Sequence, residues 1–330
     1  MKKAVKPLLI GSGIAALGMV AAGAASVAAT GSLVKIAMDR QLPRRYRYGE
    51  KGRTRLTGSP ADHAMLQTLA AAGKRLQAAG CRPMQLTARD GTRLTGHWRS
   101  APDPKRVILA MHGWRSSWDR EFGVIADFWY EQGCSVLFAE QRGQGSSGGE
   151  YMGFGMTEQY DCLDWVRLIN EKTGGTMPIY LGGVSMGVTT VLMASGLPMP
   201  ANVRGIVADC GFTSPKAIWQ HVAKHNLHMP YGPREALVDA LCRRRIHMAS
   251  GDYSTVEALR KTRLPVLLIH GEADSFVPVE MTYENYRACG SSKKLLVVPG
   301  AGHGGSYLKD PEAYRQALVD FWRENDTRPL

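Results

Sequence analysis

Two serines of the chain lie at the centre of a glycine-x-serine-x-glycine pentapeptide, the pattern found where a nucleophilic serine sits on a sharp turn. Ser185 stands in the stretch LGGVSMG, and Ser147 stands in GQGSSGG. A serine hydroxyl attacks a carbonyl carbon only when a neighbouring base takes its proton and an acid fixes the tautomer of that base. Nucleophilic chemistry at either serine therefore requires a histidine and a carboxylate that the fold brings to it.

The stretches on either side of the two serines distinguish them. Ser185 follows the apolar run PIYLGG and precedes MGVTTVLMAS, so it occupies a turn from a strand to a helix. Gly183 and Gly187 suit that turn, because it needs strained dihedrals and close backbone approach that side chains would block. Ser147 runs into GEYMGFG without a helix start. We therefore predict that Ser185 is the nucleophile and that Ser147 is a loop residue.

A base and an acid for Ser185 must come from later in the chain, because in this architecture the order is nucleophile, acid, histidine. His303, in PGAGHGG after the last apolar run, is the predicted base. His270 ends a buried run and is not favoured. The predicted acid is Asp274 of HGEADSFVP, and Asp209, at the end of the preceding run, is the reserve. Glu272 in the same stretch is expected to be solvated.

The anionic intermediate of acyl transfer needs two aimed hydrogen-bond donors. The N–H of Met186 is one candidate, since it starts a helix directly after the nucleophile. The N–H of Trp114, in the loop MHGWRSS, is the other. We expect His112 to hold this loop by hydrogen bonding and not to act as a base.

The elements that must position these residues read as an α/β fold. The stretch MQLTARDGTRLTGHW predicts an antiparallel hairpin that turns at Asp90 and Gly91. Runs that are apolar on both faces are typical of parallel strands covered by helices. Six such runs follow, at residues 106–112, 135–140, 178–183, 203–209, 265–271 and 294–300. Together they predict an eight-stranded, mostly parallel sheet with its chemistry at the carboxyl ends of the strands.

Helices are predicted between the strands. One lies near residues 61–79, before the hairpin, and another runs from Phe122 to Gln132 and ends before Gly133. Asp310 can cap the last helix. That helix would bury Tyr314, Leu318 and Phe321.

The N-terminal segment, residues 8–34, contains 27 residues without a charge and is preceded by three lysines. That length spans a bilayer with tilt, so we predict an uncleaved, single-pass transmembrane helix. A cleaved signal peptide is the alternative, because AGA and SVA at 22–24 and 26–28 resemble processing sites. The excess of Lys and Arg on the C-terminal flank favours a cytoplasmic domain, although the N-terminal lysines oppose this orientation.

The net charge of +12 is concentrated in two regions. Residues 35–55 carry eight Lys or Arg, and residues 213–263 carry nine. We expect the first region to contact anionic lipid and no nucleic acid to bind, because no recognition module is present. The run Arg243–Arg245 is predicted to form a solvated face.

No metal or cofactor is expected. The six cysteines lack metal-binding spacing and fit buried small side chains. The histidines His221, His225 and His228 have no acidic or cysteine partner nearby. The dinucleotide-like match at Gly11, Gly13 and Ala16 has no strand before it, so it is regarded as accidental.

Five motifs occur in the order and spacing of the α/β-hydrolase superfamily: MHGW, EQRGQGSSGG, GGVSMG, HGEADSFVP and GAGH. The chain resembles the membrane-anchored bacterial hydrolases related to serine aminopeptidases and dienelactone hydrolases, over about residues 85 to 325. The resemblance implies a triad of Ser185, Asp274 and His303, with Trp114 and Met186 as the oxyanion hole. It also assigns RGQGSSGG to the loop after the fourth strand, where the family usually has Asp at the position of Glu140.

The same resemblance predicts three regions: a membrane anchor at residues 1–34, a basic linker with a helix at 35–80, and an α/β-hydrolase domain at 81–330. Residues 213–263 correspond to the helical lid of the family. There Trp219, Leu227, Met229 and Tyr231 are candidates to line an acyl or alcohol pocket, and packing onto the domain is the alternative for most of them. The predicted function is hydrolysis of carboxylic esters of a small-molecule acyl substrate. An acyltransferase, an amidase or peptidase with the same triad, and a non-catalytic scaffold are the alternatives.

Overall fold

The computed structural model describes residues 25–42 and 63–327. Its strands are β1 (Arg82–Thr87), β2 (Arg93–Arg99), β3 (Arg106–Met111), β4 (Cys134–Ala139), β5 (Ile179–Val184), β6 (Val203–Asp209), β7 (Val266–Gly271) and β8 (Lys293–Val298). Its helices are α1 (residues 25–38), α2 (His63–Ala78), α3 (Trp118–Phe122), α4 (Ala126–Glu131), α5 (Glu158–Thr173), α6 (Met186–Ala194), α7 (Pro215–His221), α8 (Glu235–Ile246), α9 (Thr255–Lys261), α10 (Val279–Ala288), α11 (Ser306–Lys309) and α12 (Pro311–Asn325).

The strands form one eight-stranded sheet in the order β1-β2-β4-β3-β5-β6-β7-β8. The strands β1 and β2 are antiparallel to their neighbours, and the other six are parallel. The hairpin turns as predicted: Gly91 has a φ of +83°, and the Asp90 carboxylate accepts the N–H of Thr92. This confirms the predicted mostly parallel sheet and its antiparallel start.

Helices cover both faces of the sheet, so β3, β4 and β7 are buried at every residue. One face packs on side chains of α5, α6 and α9, including Trp165 and Leu192. The other packs on α3, α4 and α12, including Phe122 and Phe321. The Asp310 carboxylate accepts the N–H of Ala313 and caps α12 as predicted.

Two predicted helical regions differ from the structure. The single helix expected over 122–132 is two short helices, α3 and α4. The first helix ends before Gly123. At this glycine a Cβ would lie 2.6 Å from the carbonyl carbon of Ala72 in α2. The predicted lid region, 213–263, includes part of the core, because Leu259 of α9 is fully buried among residues of the sheet. Residues 215–246, which precede α9, are called the lid below.

Most of the predicted membrane anchor, residues 8–24, lies outside the described residues. Among the described residues, no helix has both the length and the apolar character needed to cross a bilayer. Helix α1 contains the last ten residues of the predicted anchor. Its Thr30 and Val34 are 2% and 4% exposed, and Met38 is fully buried. The C-terminal end of α1 is therefore packed into the rest of the fold.

Candidate active site

Ser185 lies on the turn between β5 and α6, with a φ of 54° and a ψ of −117°. A non-glycine residue in this region is strained. The glycines on either side are required: a Cβ at Gly187 would overlap the carbonyl oxygen of Met111, and a Cβ at Gly183 would overlap the backbone of Gly187. The turn therefore holds the Ser185 side chain at the carboxyl end of the sheet, as a nucleophile elbow does.

We expect Ser185→Gly to be more stable than Ser185→Ala by about 1 kcal/mol, because glycine adopts a positive φ without strain. Both variants lose the hydroxyl, so the comparison isolates the backbone. Urea unfolding measures the difference.

Ser195 provides the control, since it ends the same helix with an ordinary φ of −65°. There the order should reverse, with Ser195→Gly less stable than Ser195→Ala. Equal stability of the two Ser185 variants would contradict the strain.

The three residues predicted as nucleophile, base and acid form one hydrogen-bonded relay. The Ser185 Oγ lies 2.9 Å from Nε2 of His303, and Nδ1 of His303 lies 2.7 Å from Oδ2 of Asp274. Oδ1 of Asp274 accepts the N–H groups of Phe276 and Val277, each at 2.9 Å. Since Asp274 holds Nδ1–H, the other ring nitrogen faces the serine hydroxyl as an acceptor.

The electrostatics of the relay suit a base and its orienting acid. Burial alone would raise the pKa of Asp274, but the charge of His303 and hydrogen bonds from His270 and His303 hold it well below its usual range. Burial likewise opposes the charged form of His303, but the adjacent Asp274 carboxylate raises its pKa above the ordinary value. Asp274 is therefore ionised, and the imidazolium form of His303 is stabilised.

His270 supports the acid, a role that the sequence did not suggest. Its Nε2 lies 2.9 Å from the carbonyl oxygen of Val277 and 3.2 Å from Oδ2 of Asp274. Its Nδ1 lies 2.7 Å from the hydroxyl of Thr282. An N–H at Nε2 can donate to both oxygens, and Nδ1 then accepts the hydroxyl of Thr282. The signal was the spacing HGEAD, which puts a fully buried histidine four residues before the acid.

Asp209, the reserve acid, and Glu272, which was predicted to be solvated, are not hydrogen-bonded to the relay. Asp209 accepts a hydrogen bond from the hydroxyl of Ser306 at 3.1 Å, and burial raises its pKa to about 6. Its contribution to the elbow is its backbone carbonyl, which accepts the N–H of Ser185 at 2.9 Å. The Glu272 carboxylate accepts the N–H of Gly300 near the surface. Neither carboxylate hydrogen-bonds to His303.

Ser147 is a structural loop residue, as predicted. Its Oγ accepts the N–H of Thr95 at 2.9 Å and donates to the carbonyl oxygen of Glu140 at 2.6 Å. The same loop is held by Glu140, whose carboxylate lies 2.7 Å from Nε2 of His97. Because Ser147 is fully buried and paired on both sides, it has no access to a substrate.

The two predicted oxyanion donors flank Ser185. Met186 is the first residue of α6, so its N–H has no acceptor within the helix. Trp114 follows Gly113, where a Cβ would lie 3.3 Å from the Cβ of Ser185. Neither N–H donates a hydrogen bond to any described residue.

His112 holds the loop that carries Trp114. Its Nδ1 lies 2.8 Å from the carbonyl oxygen of Gly113, and its Nε2 accepts the N–H of Gln141 at 3.1 Å. Burial lowers the pKa of His112, which favours the neutral ring that this pattern needs. The expected structural role is thus confirmed by its contacts.

A cavity of roughly 910 Å³, including its open mouth, has Ser185 in its wall. The lid residues predicted to line a pocket, Trp219, Leu227, Met229 and Tyr231, all line it. The body of the domain adds four aromatic side chains to the wall: Trp114, Phe154, Phe212 and Phe276. The nucleophile therefore opens into a space suited to an apolar chain.

One group of described residues has ligand atoms close enough for a metal ion: those of Cys210, Asp274 and His303 lie within 4.8 Å of one another. Both ring nitrogens of His303 are already engaged, by Asp274 and Ser185, so the group fits a proton relay better than a metal centre. The rings of His221 and His225 stack at 4.8 Å in the lid. Arg245, predicted to be solvated, instead has a largely buried side chain that pairs with Asp39 at 2.7 Å.

A sheet of this order, with a serine on a strand-to-helix elbow and an acid and a histidine on later loops, defines an α/β hydrolase. Residues 102–231 match the family model described as serine aminopeptidase, S33, and residues 231–328 match the model described as TAP-like protein. The chain belongs to the α/β-hydrolase superfamily and resembles its serine aminopeptidase branch.

Individual proteins agree with this assignment. The Bacillus subtilis (strain 168) protein YqkD, which is uncharacterised, is 28% identical over 70% of this chain and 75% of its own. The Pyrococcus furiosus esterase Pf2001 has a TM-score of 0.61 at 21% identity, over 76% of this chain and 95% of its own. A puromycin-hydrolyzing peptidase of Mycobacterium tuberculosis has a TM-score of 0.58 at 17% identity, over 76% of this chain and 40% of its own. These two structures share the fold with this chain.

Proposed function

We propose that this hydrolase cleaves carboxylic esters through an acyl-enzyme on Ser185, with His303 as base and Asp274 as its orienting acid. The observation that carries the proposal is the relay of 2.9 Å and 2.7 Å between these three side chains, at the wall of an apolar cavity.

The first half of the reaction transfers the acyl group to the enzyme. Nε2 of His303 takes the hydroxyl proton of Ser185 while Oγ bonds to the ester carbonyl carbon. The negative charge moves to the carbonyl oxygen, where the N–H groups of Met186 and Trp114 stabilise it. The bond to the alcohol oxygen then breaks, and the imidazolium of His303 gives that oxygen its proton. Asp274 stabilises the imidazolium throughout.

The second half releases the acid. A water molecule takes the place of the alcohol and loses a proton to His303 as its oxygen bonds to the acyl carbon. The new tetrahedral anion uses the same two donors. When it collapses, the bond to Ser185 breaks, the proton returns to Oγ, and the carboxylic acid leaves.

The character of the cavity favours esters with an apolar acyl chain over the free amino termini of peptides. An aminopeptidase needs an anionic group to hold the ammonium of its substrate. Among the described residues that line the cavity, none is Asp or Glu, and most are aliphatic or aromatic. The likeness to an esterase fits this preference.

A fluorophosphonate tests the proposal, because it phosphorylates a serine that is activated by a base beside an oxyanion hole. We expect a single modified peptide, containing Ser185, in mass spectra of the treated protein, together with turnover of p-nitrophenyl esters. A folded protein that neither reacts with the probe nor hydrolyses esters would favour the non-catalytic scaffold.

A further inference from the structure

Helix α1 contributes a wall of the cavity that contains Ser185. Five of its residues, from the middle of the helix onward, line this space: Thr30, Leu33, Val34, Ile36 and Ala37. The remaining lining comes from the lid and from the body of the domain. The shape of the candidate substrate pocket thus depends on the segment that precedes the whole sheet in the chain.

The loop that contains Trp114, the predicted oxyanion donor, hydrogen-bonds to the C-terminal end of α1. A helix leaves its last four carbonyl groups without donors of its own. In α1, the carbonyl of Ile36 accepts the Arg115 guanidinium at 2.7 Å, and that of Ala37 accepts the Trp114 indole N–H at 2.8 Å. A guanidinium at this end also complements the negative pole of the helix dipole.

The other two carbonyls at the end of α1 also have donors. The carbonyl of Lys35 accepts the N–H of Asp39 at 3.0 Å, and that of Met38 accepts the N–H of Met152 at 2.8 Å. Just beyond the helix, the Asp39 carboxylate pairs with Arg245 of the lid helix α8. Each of the last four carbonyl groups of α1 therefore accepts a hydrogen bond. These bonds hold the C-terminal end of the helix in a fixed position beside the cavity.

The side chains of the wall divide into two kinds. Val34 and Ala37 pack in a hydrophobic cluster with residues of the lid. Leu33 lines the cavity, is only half-buried, and belongs to none of the buried clusters of described residues. A change at Leu33 therefore alters the cavity with less loss of packing than a change at Val34.

We propose that α1 is a specificity element of the active site and that the side chain of Leu33 limits the length of acyl chain that the cavity accepts. The inference rests on the proposed ester hydrolysis. A smaller residue at this position adds space for methylene groups of the substrate, and a larger one removes space. The resemblance to the family predicted that lid residues line the pocket. We infer that α1 also contributes to the selection of the substrate.

The test measures kcat/KM of the full chain on p-nitrophenyl esters of graded acyl length, from acetate to palmitate. We expect Leu33→Ala to move the preferred length upward and Leu33→Trp to move it downward. The ratio of long-chain to short-chain kcat/KM should change by about tenfold in opposite directions. Val27→Ala and Val27→Trp are the matched controls, because Val27 lies on the same helix at 56% exposure. Both controls should keep the wild-type profile.

Titration of Ser185 with a fluorophosphonate normalises each rate to active sites and separates the two proposals. If the Leu33 variants react with the fluorophosphonate like the wild type and keep its preference for acyl length, the role of Leu33 is overturned. The proposed ester hydrolysis would still stand. A shift of the same size in the Val27 variants overturns it as well. If Leu33→Trp does not fold, the upward shift in Leu33→Ala decides alone.

A wild-type protein without ester turnover would overturn the proposed function instead. The wall is then tested by displacement of a fluorescent fatty acid with fatty acids of the same lengths. Leu33→Ala should tighten the binding of the longer ones relative to the shorter ones, and an unchanged ranking would overturn the role of Leu33.

Discussion

Replacing Ser185 with alanine should abolish both fluorophosphonate labelling and ester turnover, with kcat falling on the order of 10⁶-fold. The reason is geometric, since the Ser185 hydroxyl lies 2.9 Å from Nε2 of His303 and is held there by the strained turn. The variant should fold normally, because alanine removes one partly buried hydroxyl. Circular dichroism and urea unfolding check the fold, and active-site labelling checks the loss.

Ser147→Ala is the control, since Ser147 stands in the second glycine-x-serine-x-glycine stretch. It should keep labelling and turnover per folded molecule. Its cost is in stability, about 1–3 kcal/mol, because the partly buried N–H of Thr95 loses its acceptor. Strong labelling of Ser185→Ala would remove Ser185 from the mechanism.

Asp274→Asn should lower kcat on the order of 10⁴-fold while the protein stays folded. The amide oxygen can still accept the N–H groups of Phe276 and Val277, so the amide nitrogen turns toward His303. Nδ1 of His303 then becomes the acceptor, and its proton moves to Nε2, which no longer takes the proton of Ser185. Asp209→Asn is the matched control and should retain activity within about tenfold, because its carboxylate bonds to Ser306 and not to the base. The reverse outcome would make Asp209 the acid.

The pH dependence of kcat/KM tests the same carboxylate independently. The neutral form of His303 is the active form, so kcat/KM should rise with pH through the pKa of His303 and reach a plateau above it. The Asp274 carboxylate holds that pKa above the ordinary value of 6.5. Removing its negative charge in Asp274→Asn should lower the pKa, so the rising limb of the residual activity should move to lower pH. If the rising limb of the pH profile does not move in Asp274→Asn, Asp274 does not control the pKa of His303.

Local patterns in the sequence were enough to predict the three residues of the relay. The glycines around Ser185 and the ends of the apolar runs gave the position of each loop, and parallel strands bring such ends to one edge of the sheet. The same logic distinguished Ser185 from Ser147, because a helix follows one and no helix follows the other.

Three features that the sequence did not predict involve contacts between distant segments. The pairing of Arg245 with Asp39 joins residues 206 positions apart, so the basic run at 243–245 looked solvated. Gly123, which follows α3, lies close to the backbone of Ala72, and no local pattern encodes this approach. The packing of α1 beside the cavity could not be predicted either, because its apolar composition is also typical of a transmembrane helix.

The fastening of α1 sets an order of events during synthesis. The carbonyl of Ile36 is among the first described groups to emerge, yet its donor Arg115 follows 79 positions later. Arg245, the partner of the Asp39 carboxylate, follows 206 positions after Asp39. Contacts of such separation form late, after the loop between them has closed. Until then the apolar face of α1 has no docking surface and is open to aggregation or to chaperones. The pocket wall is thus the earliest part of the described chain to be made and among the last to be put in place.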